Sequence, residues 1–234
     1  MKSQYILPIT IVVAGLLIAG AVFLVGNSGG KIPQSGSKVT ARAYDATQDH
    51  ILGNPDAPVK VVEYMDFECP HCKVFNTTMH QIMDYYGASG KVAWVQRSFP
   101  LGIFSKSPTE AQAAECAAAQ GGDSAYYKFG DKVFDVTPSE NGLDLAQLPI
   151  IADQMGLDVT KFNTCLSSGT FAKKITDSHS EALSLGAQGT PYILVMVGTD
   201  AVTLAGNQPY DSMRAAIDTV LSGLPGGTAS TTTQ

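Results

Sequence analysis

Runs of positive charge are missing from this sequence. Its 234 residues include 15 lysines and arginines against 21 aspartates and glutamates, a formal net charge of −6, and no block of five or more basic residues occurs. Proteins that bind nucleic acids usually present a basic patch to the phosphate backbone, so we expect no nucleic-acid partner. Hydrophobic residues make up 44% of the chain, which is enough for a substantial buried core.

Cysteines are also few, and their spacing excludes several kinds of site. The sequence has Cys69, Cys72, Cys116 and Cys165. Only the first two form a C-x-x-C pair, and the distant two lack histidines at ligand spacing, so we expect no metal and no other cofactor. Lys73 follows the pair where covalent haem attachment requires histidine. A redox-active dithiol is the favoured interpretation, and an incomplete zinc site that recruits His80 or an inert four-residue disulfide are the alternatives.

Charge is absent over a long segment near the N-terminus, from Ile6 to Val25. An α-helix of this length extends roughly 30 Å, about the thickness of a hydrocarbon core. We therefore predict a signal-anchor transmembrane helix within residues 1–25, which places the rest of the chain on the extracytoplasmic side of the cell membrane. A signal peptide cleaved near Ala19-Gly20-Ala21, which leaves a secreted or periplasmic protein, is the alternative. No cysteine lies near the segment, so lipoprotein attachment is excluded.

Composition divides the rest of the chain into three parts. Residues 26–49 are rich in glycine, serine and other polar residues and are predicted to be a linker. Residues 224–234 are of low complexity and are predicted to be a disordered tail. The folded domain is therefore expected over residues 50–223.

Strand and helix patterns alternate within this domain. Strands are predicted at residues 59–65, 91–99, 191–197 and 201–204. Helices are predicted at residues 73–86 and 209–221, and a run of helical patterns occupies about residues 105–187. Strands separated by helices favour an α/β sheet that is covered on both faces, here with a helical insertion.

The segment Cys69-Pro70-His71-Cys72 stands where a predicted strand gives way to a helix. Unpaired N–H groups and the helix dipole favour negative charge at a helix N-terminus, so we predict a thiolate of lowered pKa at Cys69. Cys72 lies one turn further along and is placed to resolve a mixed disulfide. Pro70 has no N–H to leave unpaired, and His71 adds a donor or a positive charge near the sulfur. The motif should therefore act as an oxidant.

Two adjoining stretches resemble the DsbA-type branch of the thioredoxin superfamily. They are Gly53-Asn54-Pro55-Asp56-Ala57-Pro58-Val59 and Glu63-Tyr64-Met65-Asp66-Phe67-Glu68-Cys69-Pro70-His71-Cys72. The resemblance covers about residues 50–221, including the helical insertion and Gly189-Thr190-Pro191. It implies a thioredoxin fold with an inserted helical domain, here preceded by one N-terminal transmembrane helix, and thiol-disulfide oxidoreductase activity.

The resemblance also implies a role for the Thr190-Pro191 pair. In this superfamily the matching proline follows a cis peptide bond and faces the active-site cysteines, and its neighbour offers backbone groups to a substrate strand. An ordinary proline that starts a strand is the alternative. In having threonine before this proline, the sequence resembles isomerase-type relatives.

An acid is implied behind the cysteines as well. The position of Glu63 holds a buried carboxyl group in thioredoxin relatives, where a raised pKa lets it relay protons to the inner thiol, here Cys72. A strand acid that faces solvent is the alternative. Asp66 and Glu68, closer to the motif, are predicted to be surface charges.

The remaining cysteines, Cys116 and Cys165, both lie in the helical insertion. In an oxidising compartment the simplest arrangement is one structural disulfide between them, and some DsbA-like proteins resemble this arrangement. Two buried free thiols that act as small hydrophobic residues are the alternative.

The leading functional hypothesis is an enzyme that forms disulfides in exported proteins. Its partners would be unfolded or reduced exported proteins and a membrane redox protein that recycles the dithiol. A disulfide reductase or isomerase of the same fold is an alternative, because Thr190 resembles the residue found at this position in isomerase-type relatives. A peptide-binding holdase without turnover is the alternative outside the enzymes.

Overall fold

The computed structural model describes residues 36–225, and a six-stranded mixed sheet lies at their centre. The strands are β1 (Lys38–Thr40), β2 (His50–Gly53), β3 (Val59–Met65), β4 (Val92–Ser98), β5 (Tyr192–Val197) and β6 (Asp200–Ala205). Their order across the sheet is β1-β6-β5-β3-β4-β2. β3 and β4 run parallel, and every other neighbouring pair is antiparallel.

Helices cover this sheet. They are α1 (Pro70–Tyr86), α2 (Ser107–Val136), α3 (Gln147–Gln154), α4 (Val159–Ser168), α5 (Ala172–Ser184) and α6 (Tyr210–Ser222), with a short 3₁₀ turn at Gly87–Ser89. Helices α2 to α5 follow one another between β4 and β5, in the region of the predicted insertion. α2 is interrupted at Gly122, whose φ of 64° lies in the left-handed region that favours glycine.

Both faces of the sheet are buried. Successive residues of a strand point to opposite faces, and in β3 both sets of side chains are enclosed. Val59 and Val61 belong to the larger apolar cluster, which includes residues of α1, α2 and α6. Val62 and Tyr64 belong to a second cluster, which includes Ala182 of α5. Burial on both faces explains why this strand has a nearly continuous apolar sequence.

The predicted linker is wrong for its C-terminal part. β1 lies within residues 26–49 and pairs with β6 at the edge of the sheet. Further along, Asp49 is 3% exposed and accepts hydrogen bonds at 2.9 Å from Arg42 and from Arg97 of β4. The polar composition of this segment predicts a spacer. It does not reveal the burial of Asp49, because Arg97 lies 48 residues away in the sequence.

The predicted membrane anchor within residues 1–25 lies outside the described residues, as does residue 226 onward of the predicted tail. Across residues 36–225, no helix has the length and apolar character needed to cross a membrane.

Candidate active site

The two cysteines of the C-x-x-C pair lie at the start of α1. Cys69 is the N-cap residue, with an extended backbone, and Pro70 occupies the first turn, where a missing N–H costs nothing. Both cysteines are free thiols, Cys69 at 4% exposure and Cys72 at 0%. The pair therefore consists of an outer sulfur near the protein surface and an inner sulfur beneath it.

The electrostatics of the helix start favour a thiolate on Cys69. Its pKa is lowered to about 5, mainly because the Cys72 thiol donates to it, and the backbone N–H groups of Cys72 and His71 add to the effect against the opposing cost of burial. The side chain of His71 itself is exposed to solvent, and Pro70 is half-buried. The contribution of His71 visible here comes from its backbone.

The inner thiol has the opposite environment. Burial raises the pKa of Cys72 well above its ordinary value, and hydrogen bonding to Cys69 and the charge of Glu63 raise it further. Glu63 of β3 is 1% exposed, and burial raises its pKa to about 8. The structure thus places Glu63 inside the protein, where its charge interacts with both cysteines, and not on the solvent-facing side of the strand.

Two residues that sequence reasoning missed hold this acid. The Trp94 indole N–H donates to Glu63 Oε2 at 3.1 Å, and the Gln96 side-chain amide donates to the same oxygen at 3.3 Å. Both come from β4, which pairs with β3 in parallel register. These two hydrogen bonds join Glu63 of β3 to the neighbouring strand.

The Thr190–Pro191 peptide bond is cis and immediately precedes β5. β5 pairs with β3, so this bond lies beside the end of β3 from which the cysteines follow. Cys69 Sγ lies 3.4 Å from the Thr190 carbonyl oxygen and donates to it in the thiol form. The structure therefore brings Thr190 and Pro191 together with the cysteine pair, 121 residues away from Cys69 in sequence.

The prediction that Asp66 and Glu68 are surface charges is wrong. Asp66 is 2% exposed and Glu68 is 0% exposed. The Asp66 carboxyl group accepts from the Leu101 N–H at 2.6 Å and from the Ser107 hydroxyl, and burial raises its pKa to about 6. No local pattern reveals this burial, because the enclosing residues come from the segments after β4.

Cys116 and Cys165 form a disulfide that joins α2 to α4, with Cα atoms 5.8 Å apart. The bond lies in the helical region, away from the C-x-x-C pair in the chain. His80, the histidine considered for a zinc site, forms a hydrogen bond with the Asp131 carboxylate at 2.7 Å. Within residues 36–225, no three His, Cys, Asp or Glu side chains are grouped so as to hold a metal ion.

Comparison with known proteins gives matches over this same region. Residues 45–219 match the family model described as Thioredoxin. A Bacillus cereus protein named "Probable disulfide bond formation protein D" is 32% identical over 181 residues, which cover 75% of this chain and 79% of that protein. The crystal structure of Pseudomonas aeruginosa DsbA2 aligns with a TM-score of 0.62 and 26% identity, covering 73% of this chain and 93% of DsbA2.

Sodium/proton antiporters also match this chain, but only over part of the antiporter's length. Na⁺/H⁺ antiporter NhaA 1 of Mycobacterium sp. (strain KMS) is 28% identical over 166 residues, which are 70% of this chain and 26% of the antiporter. The chain thus spans about a quarter of that relative. The family model and the Bacillus cereus protein cover most of the chain, and the DsbA2 structure shares its fold. This chain therefore belongs to the thioredoxin family, and over most of its length it resembles disulfide bond formation protein D and DsbA2.

Proposed function

We propose that this protein introduces disulfide bonds into exported proteins through the Cys69–Cys72 couple. The single observation that carries the proposal is the opposite environment of the two sulfurs: the pKa of Cys69 is lowered to about 5, whereas that of Cys72 is raised well above its ordinary value. Stabilising the Cys69 thiolate favours the dithiol over the disulfide, which makes the oxidised form a good acceptor of electrons.

The proposed reaction begins with oxidised enzyme. A substrate thiolate attacks Cys69 Sγ, the Cys69–Cys72 bond breaks, and the Cys72 sulfur leaves with the electron pair and takes a proton. A second substrate thiolate then attacks the substrate sulfur of the mixed disulfide. Cys69 leaves as a thiolate, a new disulfide forms in the substrate, and the enzyme holds the two electrons. A membrane redox protein would reoxidise the dithiol.

Substrate positioning is assigned to the backbone at Thr190 and Pro191. An extended substrate segment that pairs with this backbone would lie across Cys69, because the Thr190 carbonyl is already within 3.4 Å of the sulfur. In the proposed arrangement the anchor within residues 1–25 keeps this site on the extracytoplasmic side of the membrane, where exported proteins acquire disulfides.

The reduction potential of the Cys69–Cys72 couple tests the direction of the reaction. We expect a value closer to about −120 mV, typical of a strongly oxidising dithiol, than to about −270 mV, typical of a reducing one. Equilibration of the protein with glutathione buffers, followed by quantification of its free thiols, measures it. A value near the reducing end would contradict the proposed direction and favour the reductase alternative.

An isomerase or reductase is a second candidate because of Thr190. This residue is 8% exposed, and a hydrogen bond from its side chain is one cause of the lowered pKa of Cys69. A hydroxyl group at this position distinguishes the site from one with an apolar residue before the cis-proline. The same potential measurement on Thr190→Val tests whether the hydroxyl influences the couple.

Replacing Glu63 by glutamine is expected to remove one step from the pH profile. In the wild type, Glu63 ionises above its pKa of about 8 and can then accept the Cys72 proton, so attack of Cys72 on a mixed disulfide should accelerate through this pH. In Glu63→Gln that rise disappears, and at pH 9 the step slows by about tenfold or more. Stopped-flow decay of a mixed disulfide between Cys69 and a fluorescent thiol measures it.

Asp56→Asn is the matched control for this variant, because Asp56 is an exposed acid in the turn before β3. It should leave the pH profile unchanged. If Glu63→Gln kept the rise near pH 8, Glu63 would not be the proton relay.

A further inference from the structure

Glu68, the residue just before the reactive cysteine, forms hydrogen bonds to a loop that is distant in the sequence. Glu68 is fully buried, and its carboxylate accepts hydrogen bonds from the backbone N–H groups of Gly142 and Leu143, each at 3.2 Å. Its backbone carbonyl accepts a third bond, from the N–H of Glu140 at 2.9 Å. Every one of these bonds joins the turn that carries Cys69 to the connection between α2 and α3.

This connection, residues 137–143, has a backbone that needs such support. Ser139, Glu140 and Asn141 have φ angles of 67°, 57° and 66°, in the left-handed region that residues other than glycine seldom occupy. Consecutive residues in this region are costly and persist only when the surroundings hold them. The bonds to Glu68 supply that restraint at the centre of the loop.

A second carboxyl group lies against Glu68. Glu110, in the first turn of α2, is 0% exposed, and neither of its oxygens meets a hydrogen-bond donor in the described part of the chain. Its carboxyl group lies within hydrogen-bonding reach of the Glu68 carboxyl group. The nearby ammonium group, that of Lys106, donates to the Leu143 carbonyl at 2.5 Å, and the other charged neighbour, Asp66, is also an acid.

Two buried carboxyl groups in contact cannot both be ionised without a large electrostatic cost. The surroundings decide which one keeps a proton. Glu68 has two N–H donors that stabilise a negative charge, whereas Glu110 has none, so Glu110 is the acid that donates to Glu68. In agreement, burial and then the hydrogen bond with Glu68 raise the pKa of Glu110 to about 9.

We propose that Glu68 and Glu110 share one proton, and that this acid–carboxylate pair positions the 137–143 loop against the turn that carries Cys69. The protonated Glu110 donates its O–H to Glu68. Glu68 can then remain negative inside the protein and accept hydrogen bonds from the loop amides. Both are positioning residues, because they act on Cys69 through the turn and the loop. The pairing itself does not depend on the proposed direction of disulfide exchange.

Infrared spectroscopy of the full chain tests the shared proton. A protonated carboxylic acid absorbs apart from a carboxylate, so the spectrum of the wild type at pH 7 minus that of Glu110→Gln should contain an acid band. Glu140→Gln removes an exposed acid from the same loop and is the matched control, which should produce no acid band. Absence of the band in the Glu110→Gln difference spectrum would overturn the proposal.

Hydrogen exchange of the Gly142 and Leu143 amides tests the positioning. Glu110→Leu cannot donate to Glu68, and loss of a charged hydrogen bond should raise exchange at both amides by about tenfold. Glu110→Gln keeps an N–H donor and should stay within about twofold of the wild type. Equal acceleration in both variants would mean a packing role and would overturn the shared proton, as would no acceleration in Glu110→Leu.

Both measurements remain valid in a Cys69→Ser background, which has no exchange activity in the proposed mechanism. An infrared band and loop protection that persist there show the pair to be independent of the reaction. Failure of the proposed function therefore leaves this inference intact, and failure of the inference leaves the dithiol chemistry intact.

Discussion

Cys69→Ser is expected to abolish thiol-disulfide exchange, with a rate loss of about a thousandfold or more. Exchange proceeds through a thiolate, and serine has neither the low pKa nor the nucleophilicity of the Cys69 sulfur. Reduction of insulin and oxidation of a reduced model peptide measure the two directions. In the wild type, alkylation of Cys69 should follow the thiolate fraction, half-maximal near pH 5 and constant above about pH 7, because the thiolate predominates above the pKa of about 5.

Cys72→Ser is the matched variant, because it removes the other sulfur of the same motif and keeps a hydroxyl donor to Cys69. When it is given a substrate that contains a disulfide, it should accumulate a mixed disulfide between Cys69 and substrate, because Cys69 attacks that disulfide and no Cys72 thiol remains to displace the substrate sulfur. Mass spectrometry of the trapped species distinguishes the two roles. Substantial exchange by Cys69→Ser, or trapping by that variant instead of Cys72→Ser, would contradict the assignment.

The largest effect on stability is expected from the double variant Cys116→Ala and Cys165→Ala. The bond closes a loop with a sequence separation of 49, and its loss restores conformational freedom to the unfolded chain. The expected decrease in the free energy of unfolding is about 4 kcal/mol, a large share of the 5–15 kcal/mol of a typical domain. Urea denaturation followed by circular dichroism measures it.

Dithiothreitol treatment of the wild type provides the control for this variant, because it breaks the same bond without changing a side chain's volume. Reduced wild type and double variant should unfold at similar urea concentrations. The double variant should keep its exchange activity under conditions where it is folded. A stability loss below about 1 kcal/mol would show that the bond contributes little beyond the packing of α2 on α4.

Local sequence was sufficient for the elements that carry the cysteines. β3 and α1 are set by an apolar β-branched run, a proline in the first helical turn and a helical pattern of apolar residues, all within a few positions of one another. The helix N-terminus that stabilises the Cys69 thiolate follows from the same local order. The resemblance to DsbA-type proteins then extended the expectation to Pro191, whose cis bond the structure contains.

Long-range packing decided the rest. Whether Glu63 is a buried acid depends on Trp94 and Gln96, which lie 31 and 33 residues away in sequence and reach it only because β4 pairs with β3. The same holds for Glu68, whose neighbourhood comes from the loop after α2. A charged residue is normally solvated, so the sequence alone predicts that Glu68 is exposed.

The sequence by itself determined the dithiol, its position at a helix start and the α/β class, because these depend on residues close together in the chain. Only the tertiary structure decided which acids are buried, which amides hold them and which residues of the expected linker belong to the sheet. The physical reason is that the protonation of a buried carboxyl group is set by its whole three-dimensional surroundings, and for Glu63 and Glu110 those surroundings are assembled from distant segments.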